Sequence, residues 1–258
     1  MTEKHNTDSP SAVLTHEVQS FFKTLDNTPP DAVTACAGWT AHELTAHLVA
    51  AAEEIVLNLE AYADNRPIPQ TRSFEVREAP YRALDDKILR SKALPSIERV
   101  ARVLDHVLLR DPDAVVPWTG RQMIVSTFIT HLRSELAIHR WDLIGDDETS
   151  WVLLSQKELT DHAVTVLGRV LTNRGANSVD KNFKAVISTP EANDIVVLTD
   201  DQGARIEQSE FHEAPSIICD PAARLLFLWG RRSADPGRLR APSGAFILAQ
   251  LQTLLAGY

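Results

Sequence analysis

Hydrophobic positions recur at helical spacing through most of the first half of the chain. In SAVLTHEVQSFFKTL the apolar groups fall near intervals of three and four, which predicts a helix over about 10–25. Asn27, Thr28, Pro29 and Pro30 then break the chain. A second helix starts near Thr40, in a capping position with Glu43 three residues on. It runs through HELTAHLVAAAEEIVLNLEAYADN and is ended by Pro67 and Pro69. A third helical stretch covers about 76–92, is interrupted at Pro95-Ser96, and resumes through SIERVARVLDHVLL to about Leu109. DPDAVVPWTG reads as a loop. A last long helix spans roughly 121–143 and stops at Gly145. Four long amphipathic segments without a strand pattern predict an up-down four-helix bundle.

The second half changes period. One more helix is expected near 155–171. FKAVIST, DIVVLTD and GARIEQS are then short, apolar or alternating segments, with PSIICD as a fourth strand. TDDQG, 199–203, has the composition of a hairpin turn. Asp220 and Pro221 open a helix, AARLLFLWG, and APSGAFILAQLQTLL forms a terminal one. Strands followed by helices predict a smaller α+β domain with an antiparallel sheet. The polar GDDETS stretch places the boundary between domains of residues 1–148 and 149–258.

Composition narrows the function classes. The 258 residues are 44% hydrophobic, enough for a full core without covalent staples. The two cysteines, Cys36 and Cys219, lie far apart, which excludes a disulfide framework or a cysteine metal site and fits a reducing cytoplasm. MTEKHNTDSP has no apolar signal core, and no apolar run approaches the ~18 residues of a membrane span. A net charge of -9 argues against nucleic acid or an anionic membrane as partner. A small-molecule ligand remains, with the chain expected as a monomer or homodimer.

The chemistry concentrates on the last bundle helix. His131, Glu135 and His139 stand four residues apart, each about 40° round from the last, so all three share one face. Imidazole nitrogen and carboxylate oxygen are common zinc ligands. The spacing is neither the HExxH of metalloproteases nor the paired ExxH of di-iron bundles. Three such residues span about 12 Å at ~1.5 Å per residue, too far to share one ion. Two neighbours one turn apart can share it, and a third ligand must come from another helix. His47 is the best candidate, mid-helix in HELTAHL. His42, five residues away, is turned about 140° from it. Each residue also has a plain structural reading. A lone helical histidine is more often packed than ligating, and Glu135/His139 could be an i,i+4 charge pair. Trp39, Trp118, Trp141 and Trp229 read as packing, Cys36 as a small buried residue, and His106, His162 and His212 as structural or surface positions.

GWTAHELTAHL resembles the first metal-binding helix of DinB-like bundles, specifically of the mycothiol-dependent maleylpyruvate isomerase group. THLRSELAIHRWDLIG resembles that group's last bundle helix. DPAARLLFLWGRR is similar to its sterol-carrier-like second domain, so the resemblance runs in order along nearly the whole chain. It implies metal ligands at His47, Glu135 and His139, zinc or another divalent ion as cofactor, and mycothiol, an actinobacterial thiol, as cosubstrate. The named isomerase adds the thiol to a cis-enedioic acid, lets the former double bond rotate, and expels the thiol; other members resemble S-transferases. A C-terminal arginine serves the site in the family, and the match is Arg231, with Arg224 and Arg232 nearby. His131 is expected to line the cavity, and Asp142 to orient a ligand histidine or cap the helix. Arg133 and Arg140 are turned away from the His47-facing side.

Two histidines, one glutamate and a divalent ion carry an overall charge of about +1 and leave a coordination position open, as in catalytic zinc sites. A thiol reaching that position loses its proton. The expected function is therefore metal-dependent activation of a thiol for isomerisation of, or transfer to, a small electrophile. The competing readings are a thiol-independent lyase, hydrolase or cyclase of secondary metabolism, and a non-catalytic small-molecule binding protein.

Overall fold

The computed structural model describes residues 14–174, 179, 180, 182–201, 203–210 and 213–255. The start of the first expected helix, Gln202 of the expected turn and His212 lie outside these residues. The chain divides into two compact units, Met1–Ile144 and Gly145–Tyr258.

The first unit contains α1 (Thr15–Asp26), α2 (Ala41–Ala63), α3 (Phe74–Arg82), α4 (Asp86–Arg110), β1 (Val115–Trp118), β2 (Arg121–Ile124) and α5 (Thr127–Ile144). Thr40 starts α2 through a reciprocal capping box. Its side chain accepts from the Glu43 N–H, and the Glu43 carboxylate accepts from the Thr40 N–H. Every residue from Leu44 to Ala52 is buried, so α2 runs through the middle of the unit rather than along its surface. One apolar cluster joins Phe21 and Leu25 of α1, Leu44, Leu48, Ile55 and Leu59 of α2, Val100 and Leu104 of α4, and Leu132 and Leu136 of α5. This is the expected helical bundle.

Two local expectations are corrected. The third helical stretch breaks at Ala83–Asp85 and not at Pro95. Asp85 caps α4 by accepting from the Lys87 N–H, and α4 continues through Pro95 to Arg110. An interior proline costs a helix about 3 kcal/mol. The buried stripe Leu89, Ala93, Ile97, Val100, Leu104 and Val107 offsets that cost by removing six side chains from water.

The second correction concerns 111–126. In place of a loop running into a helix from 121, β1 and β2 form an antiparallel hairpin, and α5 begins only at Thr127. Val116, Trp118 and Met123 are buried while Val115, Gln122 and Ile124 face solvent, the two-residue alternation of a strand. Thr119 (φ 47°) and Gly120 (φ 79°) supply the left-handed pair that a tight two-residue hairpin requires.

The second unit contains α6 (Glu148–Leu154), α7 (Lys157–Arg174), β3 (Lys184–Ser188), β4 (Asp194–Asp200), β5 (Gly203–Ser209), β6 (Ile217–Cys219), α8 (Pro221–Leu228), a 3-10 turn (Pro236–Arg238), β7 (Leu239–Arg240) and α9 (Ala245–Leu255). Its sheet runs β5-β4-β3-β6-β7. The β3–β4, β4–β5 and β6–β7 pairs are antiparallel as expected, whereas β3–β6 is parallel. After β5 the chain crosses back to the free edge of β3 and runs alongside it in the same direction. The two-residue β7 is too short to leave an alternating signal in the sequence. Helix α7 packs on β5 at Gly168, where a Cβ would come 3.3 Å from the Ile206 carbonyl oxygen. No helix among the described residues is long and apolar enough to cross a membrane.

Replacing Pro95 with Ala tests the continuous α4. It restores a backbone donor inside the helix and is expected to raise stability by about 1–3 kcal/mol in urea unfolding. A loss of stability contradicts a helix running through this position.

Candidate metal centre

Two helices bring the cluster together. His47 projects from the buried middle of α2, and Glu135 and His139 lie one turn apart on α5. One ligand atom from each lies within 4.8 Å of the others. Glu135 Oε2 stands 3.3 Å from His47 Nε2 and 3.4 Å from His139 Nε2. The two imidazole rings are 5.2 Å apart at 73°.

The opposite edge of each imidazole is held by a second carboxylate. His47 Nδ1 lies 2.7 Å from Glu78 Oε1, and His139 Nδ1 lies 2.9 Å from Asp142 Oδ2. Glu78 is itself gripped, since Arg82 Nη2 donates to its Oε2 at 2.8 Å. Arg82 Nη1 reaches Glu43 of the capping box at 3.3 Å. A continuous polar chain thus runs from the start of α2 to the His47 ring. Asp142 is anchored at its backbone, where its carbonyl accepts from the Ala35 N–H at 2.8 Å.

These contacts bias proton placement. A carboxylate at Nδ1 favours the Nδ1–H tautomer in both histidines, which turns both Nε2 lone pairs inward. Two nitrogen lone pairs and a carboxylate oxygen then converge. Acceptors repel one another unless a proton or a cation lies among them. Burial opposes ionisation of Glu135, yet its contacts with His139 and His47 and the charge of His139 hold its carboxyl well below its ordinary pKa. Burial also disfavours a charged His139, but Asp142 and Glu135 outweigh it and raise its pKa to about 9. Glu78 likewise resists the upward push of burial because His47 and Arg82 hold it in its ionised form. The metal-free cluster therefore takes up a proton. The same N, N, O donor set, with carboxylates behind both imidazoles, fits a divalent ion such as zinc.

Aromatic side chains wall the cluster. The Trp39 ring lies 5.0 Å from that of His47 and 6.4 Å from that of His139, and Phe74 lies 5.7 Å from His47 on another side. Glu135 keeps 18% of its side-chain surface exposed, against 6% for His139, so solvent reaches the cluster at the carboxylate.

Residues 12–144 match the family model described as mycothiol maleylpyruvate isomerase N-terminal domain. The chain belongs to this family. Two solved structures share the fold, one titled as the crystal structure of the mycothiol-dependent maleylpyruvate isomerase and the other as that of a histidine-to-alanine mutant of it. They are 16% and 15% identical to the chain, each with a TM-score of 0.62, covering 95% of this chain and 97% of their own. No curated protein matches the chain.

Within this family's fold, the residues singled out by sequence separate clearly. His47, Glu135 and His139 converge, and Asp142 bonds His139. His131 is buried outside the three-atom cluster, with its ring 6.0 Å from Trp118 and 6.3 Å from Phe128. Burial lowers its pKa to about 4, so it is neutral at physiological pH. His42 points elsewhere, to Asp86 Oδ1 at 3.0 Å and the Arg82 carbonyl at 3.1 Å. Arg133 pairs with Glu17 at 2.9 Å. Cys36 is half-buried rather than buried. In the second unit Arg231 is buried and donates from Nη1 to the Trp229 carbonyl at 2.7 Å, Arg224 is buried and donates to the Asn193 carbonyl at 3.0 Å, and Arg232 is exposed.

Glu78, Arg82, Trp39 and Phe74 are the site residues that sequence reasoning missed. Glu78 and Arg82 carry i,i+4 spacing, but only three residues separate their helix from the next, so the pattern runs on across both. Trp39 immediately precedes the cap of α2, and its composition alone points to packing.

The metal-free chain has a definite pH signature. The folded pKa of His139 lies above the unfolded value of about 6.5, so its contribution is fully present below that pH. It is lost as pH rises through about 9. Urea unfolding midpoints of chelator-treated protein are expected to fall between pH 6.5 and 9, with a shallower fall in Asp142→Asn. Equal slopes in the two proteins contradict the pairing.

Proposed function

We propose that His47, Glu135 and His139 hold a divalent metal ion, zinc being the best match to the donors, and that the chain is a thiol-dependent enzyme using mycothiol to isomerise, or transfer to, a small electrophilic substrate. The observation that carries this reading is the convergence of three ligand atoms within 4.8 Å, in a chain of the mycothiol maleylpyruvate isomerase family. When bound, the ion supplies a positive centre that draws a thiol from its ordinary pKa of about 8.5 into the thiolate form.

The chain's own residues do the rest. Glu78 and Asp142 keep the Nδ1 protons in place, so both Nε2 atoms present lone pairs. Trp39 and Phe74 pack against the His47 ring. Neutral His131 lines the interior without competing for an anionic ligand. Arg231 is the arginine we assign to the reaction, its guanidinium held by the Trp229 carbonyl. In the isomerisation the thiolate sulfur bonds to one alkene carbon, the π pair moves onto the substrate's conjugated carbonyl, and the resulting carbon–carbon single bond rotates before that pair returns. Expulsion of the same thiolate restores the double bond in the trans arrangement. No atom is gained or lost, and the thiol is regenerated.

Metal analysis of zinc-loaded, dialysed protein is expected to give about one ion per chain, with close to none in His47→Ala. Asp142→Asn is expected to weaken zinc affinity by about 10- to 100-fold, the usual effect of removing a partner behind a ligand histidine. Equal metal content in wild type and His47→Ala contradicts the site. Thermal-shift titration with mycothiol separates the thiol-dependent reading from a thiol-independent one. A rise in melting temperature is expected for the zinc-loaded protein, and no shift contradicts thiol use.

A further inference from the structure

We propose that Arg77 is the receptor for a carboxylate group of the substrate, placed beside the metal-ligand cluster. This rests on the reading of that cluster as an enzyme site and adds one residue to it, the donor for a carboxylate near the reacting carbon.

Arg77 lies on α3, one residue before Glu78, which bonds His47. It is 3% exposed. Its Cζ stands 4.4 Å from the centroid of the Phe74 ring and 5.5 Å from that of Trp118. Those two rings also flank the site's histidines, Phe74 at 5.7 Å from His47 and Trp118 at 6.0 Å from His131. The guanidinium therefore shares the Phe74 wall with His47 of the cluster and the Trp118 wall with His131.

Its polar contacts are what set it apart. Arg72, Arg82, Arg90 and Arg99 on the neighbouring elements are each ion-paired, to Glu54, Glu78, Asp86 and Glu53 with Glu60 respectively. Arg77 makes no side-chain hydrogen bond or ion pair among the described residues, and its Nε is buried without a partner. Leaving a guanidinium dry and unpaired is unfavourable. Burial accordingly pulls its pKa down, and the charges of Glu78, Glu135 and Glu54 only partly restore it. Arginine nonetheless stays protonated in proteins. A charged planar fork with unused donors, held between two aromatic rings, has the geometry that receives a carboxylate in bidentate fashion. Phe74 is 41% exposed, so the wall it forms with Arg77 reaches solvent, where a ligand can enter. A packing role alone leaves the donors unused and predicts no effect on ligand binding.

Calorimetric titration of the zinc-loaded full chain with maleate and with monomethyl maleate tests this. Wild type is expected to bind the dianion and to prefer it over the monoester. Arg77→Met is expected to bind maleate about tenfold to hundredfold more weakly and to lose the preference, while keeping wild-type zinc content. Arg77→Lys, which retains the charge but not the fork, should fall between them. It also decides the matter if Arg77→Met does not fold. Absence of maleate binding by wild type overturns the proposal, as does equal binding by wild type and the variants. Should zinc fail to load, the metal assignment falls by itself, and the same comparison on metal-free protein still reads out Arg77.

Discussion

Three potential donor atoms meet in the first unit: the inward nitrogens of His47 and His139 and a carboxylate oxygen of Glu135. Such a meeting is unfavourable without a positive charge among them, and much of the unit is arranged to maintain it. Glu78 and Asp142 fix the ring edges that face away, Arg82 and Glu43 fix Glu78, and the α2 capping box fixes Glu43. The cap of α2 thereby acts at two levels. It satisfies the first turn of a helix, and it forms the outer end of the polar chain that orients His47.

The bundle makes this possible by being apolar where it need not be polar. Helix α2 is buried on nearly all sides, so its few polar groups stand in surroundings where pairing has large consequences. His47, Glu54 and Thr45 each find a partner there, to Glu78, Arg72 and the Ala41 carbonyl. Arg77 is the exception on the adjoining α3. The same low-polarity surroundings that strengthen the Glu78–His47 contact make its unused donors a place for an incoming anion.

Much of this was legible in the sequence, and the part that was not has a consistent cause. The helical periodicity, the Thr40–Glu43 cap and the phases of His47, Glu135 and His139 all follow from spacing along single helices, which is local information. The missed elements are short. Helix α3 ends only three residues before α4 begins, so one apolar pattern ran across both, and Pro95 drew the break to the wrong place. The β1–β2 hairpin has four-residue strands, too brief to stand out beside long helices. These two elements supply Phe74, Arg77, Glu78, Arg82 and Trp118. The three converging residues were therefore readable from helix phase, whereas the residues that orient and surround them depended on chain segments whose placement is a tertiary matter. The parallel β3–β6 pair escaped for the same reason, since strand direction is decided by the return path of the chain.

The account depends above all on a single cation bound among His47, Glu135 and His139. Anomalous diffraction from crystals of the zinc-loaded protein, recorded on both sides of the zinc absorption edge, tests it most directly. The account predicts one strong peak per chain within bonding distance, about 2.0–2.2 Å, of His47 Nε2, a Glu135 carboxylate oxygen and His139 Nε2. A map with no peak there, or with its peak elsewhere in the chain, contradicts it.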